Sequence, residues 1–447
     1  MRSSTARRTA RSKCSSRPDV AASGPPEHSH NPIVRYFEVL GPGLVTGAAD
    51  DDPSGITTYS VAGAAFGYGM LWTAVVTFPL TAAVQLVCAR IGLVTGQGLA
   101  GAVRGHYPRP FLYLACLLLL VANVFNIAAD LAGMGSAAEM LFGWPSIVFI
   151  PVFAAALLAV IVYLRYATFA RTLKWLIAVL LFYVAAAILA HPDWPAALRA
   201  TLVPPLIWDV TAVTTLVGIL GTTISPYLFF WQASQEVEEE RALGRRTIAQ
   251  RRGAAAHELR DARIDVTTGM AFSNLVMFFI MLATATTLHR AGVRDIETSG
   301  QAAEALRPLA GDAAALLFAL GIVGTGLLAV PVLAGSASYA LAELFRWRAG
   351  LDLRPRQARP FYAILAGAIV GGVLIDVFTD DAIRMLFVSA VVNGVLAPPL
   401  LVMVMLVGNN RRIMGEHANG PWLNVLGWSA TALMTLAALA LFATTLV

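Results

Sequence analysis

The chain alternates long apolar blocks with short polar ones. A helix rises about 1.5 Å per residue, so about 20 apolar residues in a row cross the hydrocarbon layer of a bilayer. The pattern predicts eleven such spans, at 39–64, 70–94, 111–142, 145–164, 172–190, 209–234, 265–288, 313–343, 361–376, 383–408 and 421–446. The expected class is an all-α integral membrane protein of about 11 transmembrane helices. Residues 1–37 differ in kind, being polar and rich in Arg, Ser and Pro, with no apolar core of a secretory signal. They predict a disordered basic cytoplasmic tail, although the stretch from Met1 to Arg17 also has the basic, acid-poor character of a transit peptide. Residues 38–447 form the expected membrane-spanning domain.

Composition agrees with this pattern. Hydrophobic residues make up 57% of the chain and charged residues 13%, against about a quarter charged in soluble domains. A soluble protein with one large core would not set so many span-length blocks in series. Cys14, Cys88 and Cys116 follow no zinc or redox spacing and imply no disulfide framework. No nucleophile–base pair or metal-hydrolase motif occurs, so the chain is expected not to be an enzyme and to need no cofactor. The expected partner at this point is a lipid bilayer, with no nucleic acid and a monomeric state.

Charge placement sets the orientation. With the N-terminus inside, 27 of the 32 Lys and Arg residues fall on the inner segments and five on the outer ones. The positive-inside rule then predicts a cytoplasmic N-terminus and an external C-terminus, in a bacterial plasma membrane. The longest polar loop, Glu236 to Asp265, carries Glu238, Arg241 and Arg245 at spacings that share one side of a helix. It predicts a solvated cytoplasmic helix continuing the sixth span.

Two spans contain something energetically expensive. In the first, Asp50, Asp51 and Asp52 lie mid-span, followed by Pro53, Ser54 and Gly55. A carboxylate in the hydrocarbon core costs at least ~2.5 kcal/mol and is kept where it meets a polar cavity or a cation. Pro53 removes a backbone donor and Gly55 permits non-helical conformations, so an unwound stretch with free carbonyls is expected. The sixth span repeats the design with Gly221, Thr222 and Thr223 before Ser225 and Pro226. The alternative is two ordinary proline kinks, but a kink needs no row of carboxylates. Matching breaks in two halves point to a midplane binding site between inverted repeats, here about 38–190 and 209–408, followed by a final helix at 421–446.

The third span adds Asn126 and Asp130 on one helical face. An intramembrane Asp is a functional-site hypothesis, with an interhelical hydrogen bond as the plainer reading. Asn393 in the tenth span reads equally as interhelical glue or as a cavity-lining ligand. No histidine falls mid-span, which argues against a histidine proton relay.

At these residues the sequence resembles the natural resistance-associated macrophage protein family of metal transporters. Gly41-Pro42 is followed by Asp52-Pro53-Ser54-Gly55 where the family has Asp-Pro-Gly-Asn at the same offset. Phe66-Gly67-Tyr68, Asp130-Leu131-Ala132 and the run Asn410-Arg411-Arg412-Ile413-Met414-Gly415 also match, in order, across nearly all of the chain after the tail. The resemblance implies a leucine-transporter-like 5+5 fold with helices 1 and 6 broken. It also implies a midplane divalent-metal site in which Asp52 is the anionic ligand, flanked by the backbone carbonyls of Ala49 and Thr222. Five positions depart from the family pattern. Gly55 replaces Asn, Ser225-Pro226-Tyr227 replaces Met-Pro-His, Gly133 replaces the third-span Glu, and Ala390 replaces the tenth-span Gln. The pattern is similar to the divergent magnesium-transporting branch related to that family.

The expected function is therefore secondary transport of a divalent cation. The metal ligands are expected from Asp52, Asp51, Ala49, Thr222 and Ser225, with Ser225 supplying oxygen in place of the thioether. Asp130, Asn126, Tyr227 and Asn393 are cavity or proton-linked candidates. Oxygen donors suit Mg²⁺ or Mn²⁺ better than soft metals. The alternative is a cation-coupled amino-acid symporter of the same fold, but three aspartates would repel a substrate carboxylate. A metal sensor that binds without transporting is a further alternative, and nothing in the chain resembles a signalling domain.

Overall fold

The structure, a computed structural model, describes residues 31–163, 180–205, 209–378 and 381–446. The chain divides after Val39. In the first unit, Pro32–Val39 is a helix. That corrects the expectation of an unstructured tail up to residue 37, because apolar residues at 33, 34, 36 and 37 recur at helical spacing. The expectations for residues 1–30 lie outside the described residues.

In the second unit, nine helices among the described residues are long and apolar enough to cross a membrane. Two expected spans are not among them. Span 1 is cut into Pro42–Asp50 and Pro53–Phe66. Span 5 is described from Leu181 to Leu189, and its first part lies outside the described residues with Arg165, Arg171 and Lys174. The remaining spans are Trp72–Thr95, Arg109–Phe142, Ser146–Tyr163, Val210–Thr223 with Pro226–Ala242, Ala256–Thr284, Ala314–Phe345, Arg359–Asp376, Ala382–Asn409 and Pro421–Leu446. Spans 2 and 3 stop at Gly96 and Gly143, whose φ of 64° and 71° a side chain would disfavour.

Spans 1, 2, 6 and 7 pack on one another, and spans 3, 4, 8 and 9 form a second group. Span 10 lies against spans 1, 3, 6 and 11. In span 6, 89% of the most apolar stretch is buried, against 22% in span 4, so span 6 runs through the centre while span 4 presents a lipid-facing edge. Small residues permit the closest crossings. A methyl group on Gly47 would collide with the Gly269 carbonyl of span 7, and one on Gly221 with the Ala390 carbonyl of span 10. Backbones that touch this closely hold the broken spans in place by dispersion contact, which in lipid replaces the hydrophobic drive of water.

The loop after span 6 corrects one expectation. The helix ends at Ala242, and Gly244 takes φ 86°. Arg241 still reaches back to Glu238 at 2.6 Å, but Arg245 lies beyond the helix and bonds Glu240 at 2.6 Å and Glu258 at 2.7 Å. The loop is pinned to the end of span 2, since Arg251 Nε donates to the Gly96 carbonyl (3.1 Å) and the Gly253 amide to that of Val94 (2.9 Å). Buried cross-loop bonds thus outweigh the helix propensity that the charge spacing suggested.

Candidate functional site

Both breaks occur where the sequence predicts. The first helix of span 1 stops at Asp50 and the second begins at Pro53, with Asp52 between them as N-cap. Asp52 Oδ1 accepts from the Gly55 amide at 2.7 Å and from Ser54 Oγ at 2.8 Å, which satisfies donors that the helix start leaves open. The first helix of span 6 stops at Thr223 and the second begins at Pro226, with Ser225 as its N-cap. The C-termini of the two first halves and the N-termini of the two second halves therefore meet at one buried place. Carbonyls at the C-terminal ends, released from helix bonding, are oxygens that a cation can use.

The two breaks are bonded to each other. Tyr227, fully buried, donates its hydroxyl to the Ala49 carbonyl at 2.8 Å and approaches Asp52 Oδ2 at 3.3 Å. Ser225 Oγ donates within its own break, to the Thr222 carbonyl at 2.6 Å and the Gly221 carbonyl at 3.0 Å. Ala49, Asp52, Thr222, Ser225 and Tyr227 are thus brought together, each at most 1% exposed. Asp51 turns elsewhere. With Asp50 it shares the hydroxyl of Ser273 on span 7, at 3.3 Å and 2.7 Å respectively. One oxygen of each, Asp50 Oδ1 and Asp51 Oδ2, has no hydrogen-bond partner.

Span 3 lies next to the break, because Gly133 packs against Pro53. Asp130 is fully buried, and neither of its oxygens reaches hydrogen-bond geometry. A methyl group at Gly133 would meet the end of Leu386 at 2.9 Å and Pro53 at 3.5 Å, so span 3 passes close to the break where the chain carries no second acid. Asn126 Nδ2 donates to Asn393 Oδ1 at 2.8 Å, tying spans 3 and 10 together. Of the two readings of Asn393, the interhelical bond is the one the geometry displays.

Several polar residues near the breaks escaped the sequence reading. Ser273 looks like any hydroxyl in an apolar run. Asp265, at the start of span 7, accepts from the amides of Gly41 (2.9 Å), Gly43 (2.6 Å) and Leu44 (3.0 Å) and so caps span 1 from another helix. Gln232 accepts from Thr46 Oγ1 at 2.5 Å and donates to Glu236 at 2.8 Å, linking spans 1 and 6 below the break. Gln232 and Glu236 sit at i,i+4, a polar pair in an apolar span that spacing would have revealed. So would Asp376 near the end of span 9, which is 3% exposed with no hydrogen-bond partner for either oxygen. A cavity of about 570 Å³ between spans 6 and 8, lined by Glu238, Arg241, Tyr339 and Trp347, touches none of the predicted site residues. Among the described residues, no three His, Cys, Asp or Glu side chains gather in one metal-holding group. A cation at the breaks would therefore take most of its ligands from carbonyls, hydroxyls and water.

Comparison with known proteins covers almost the whole chain. The family model described as natural resistance-associated macrophage protein-like matches residues 43–444. A divalent metal cation transporter MntH of Pectobacterium carotovorum is 28% identical over 407 residues, covering 88% of this chain and 90% of the relative. The MntH of Aeromonas hydrophila is 26% identical, covering 90% and 95%. Among solved structures, a manganese transporter of Eremococcus coleocola superposes with a TM-score of 0.73 at 18% identity, over 94% of this chain and 89% of that one. Mhp1, a nucleobase-cation-symport-1 family transporter in a closed conformation, superposes at 0.52 with 14% identity, over 91% and 92%. Both likenesses bear on the fold, which is leucine-transporter-like with spans 1 and 6 broken.

Proposed function

Because this chain belongs to the natural resistance-associated macrophage protein-like family, we infer that it carries divalent metal cations across a membrane, and that the ion sits between the breaks of spans 1 and 6. The observation that carries the site is the meeting of Asp52, the Ala49 carbonyl and the Thr222–Ser225 turn in one buried place. Asp52 supplies the charge, the helix C-termini supply carbonyls, and the hydroxyls add neutral oxygens. This donor set is hard throughout and fits Mg²⁺ and Mn²⁺ better than thiophilic metals. Mg²⁺ holds several of its waters when bound, which suits a place with one convergent carboxylate. An amino-acid substrate is disfavoured, because Asp52 would face its carboxylate with Asp50 and Asp51 close behind in the chain. The excess of Lys and Arg on the inner segments supports an N-terminus in the cytoplasm and a C-terminus outside, in a plasma membrane.

Transport of Mg²⁺ and Mn²⁺ into proteoliposomes tests the reading. Asp52→Asn keeps an N-cap oxygen for Gly55 but loses the charge, so it should stay folded and stop transport. Wild-type uptake by the purified variant would remove Asp52 from the site.

A further inference from the structure

Gly55 lets the two broken spans approach each other closely. A methyl group placed there would lie 3.0 Å from Thr222 Oγ1, 3.1 Å from the Asp50 carbonyl oxygen and 3.4 Å from Asp52 Oδ1. Three oxygens from both broken spans thus crowd around the place that a side chain would take, an approach that glycine permits. The Asp50 carbonyl belongs to the last residue of its helix and has no following turn to bond. Asp52 Oδ1 is held in place by Gly55 and Ser54.

The third oxygen is the informative one. A helical threonine ordinarily donates its hydroxyl to the carbonyl four residues back. Thr58, Thr77, Thr95, Thr214 and the adjacent Thr223 all do so here, at 2.7–2.8 Å. Thr222 does not. Its hydroxyl is buried with no hydrogen-bond partner, a condition shared among the described threonines only with Thr57. A buried hydroxyl without a partner costs about 1–3 kcal/mol in general, and such a cost persists where a ligand is meant to occupy the place.

We propose that the Thr222 side-chain hydroxyl, with the Asp50 carbonyl, is a cation ligand in its own right, directly or through one water. It thereby supplies the neutral oxygen that the side chain at position 55 does not. The inference rests on the cation site proposed above and adds to it a specificity-determining residue. A hydroxyl, a carbonyl and a carboxylate make an all-oxygen corner, which selects hard cations by donor type.

Calorimetric titration of purified protein with Mg²⁺ and with Mn²⁺ tests this, with melting temperature as the control for folding. Thr222→Val keeps the shape and the backbone carbonyl but removes the hydroxyl, and Thr222→Ser restores it. The expected result is a loss of affinity of roughly tenfold or more in Thr222→Val, with Thr222→Ser near wild type and Gly55→Ala weakened. Wild-type affinity in Thr222→Val overturns the proposal. An equal loss in Thr222→Ser also overturns it, because packing of the methyl group would then be responsible. Failure of the underlying site gives a different result, namely unchanged binding in Asp52→Asn.

Discussion

The Tyr227 hydroxyl donates to the Ala49 carbonyl at 2.8 Å and sits 3.3 Å from Asp52 Oδ2. A side chain from span 6 thus occupies two of the oxygens that a cation in the break of span 1 would use. The phenol and the ion compete for the same lone pairs.

Tyr227→Phe should therefore bind divalent cations more tightly. A hydrogen bond to a charged group is worth about 1.5–3 kcal/mol, and losing the competitor returns part of that to the ion, on the order of a few-fold to tenfold in Kd. Calorimetry with Mg²⁺ decides the sign. Weaker binding would mean that the phenol oxygen is itself a ligand.

Ser225→Met should tilt selectivity toward softer ions. The substitution replaces a hydroxyl with a thioether beside the Thr222 carbonyl, so binding of Cd²⁺ or Mn²⁺ should improve relative to Mg²⁺. Competition titrations with the three ions measure this. Unchanged relative affinities would take Ser225 out of the ion's reach.

Asp265→Ala should destabilise the first helix of span 1. The carboxylate accepts three amides at that helix's N-terminus, and losing a cap costs about 1–2 kcal/mol. A lower melting temperature in detergent is expected, with slower metal uptake because span 1 is less firmly tied to span 7. A melting curve and an uptake rate both equal to wild type would show that water replaces the cap at no cost.

Metal uptake should proceed without stoichiometric proton movement. Asp130 has no acidic partner one turn away, since Gly133 is packed against Leu386 and Pro53. Tyr227 stands where a histidine would titrate near neutral pH, and a phenol has a reference pKa of about 10. A pH dye inside proteoliposomes reads the outcome. Acidification that scales with uptake and vanishes in Asp130→Asn would establish proton symport.

The apolar blocks and the two breaks were legible in the sequence. These features are local. Span length, a proline after three aspartates and a Gly-Thr-Thr patch before Ser-Pro are written within a few residues of one another, and bilayer physics leaves few ways to accommodate them. The direction in which each aspartate points was not legible. Three consecutive carboxylates are equivalent in the sequence, but Asp52 turns to the break while Asp50 and Asp51 turn to Ser273, 223 and 222 residues further along the chain. The same holds for Tyr227 reaching Ala49, for Asp265 capping Gly43 and for the close approach of Thr222 to Gly55. Each depends on how one helix is rotated against another, and that rotation is set by close crossings such as Gly47 on Gly269 and Gly221 on Ala390. Hydrophobic pattern specifies which residues enter the membrane. Contact between distant backbones decides which of their oxygens face one another.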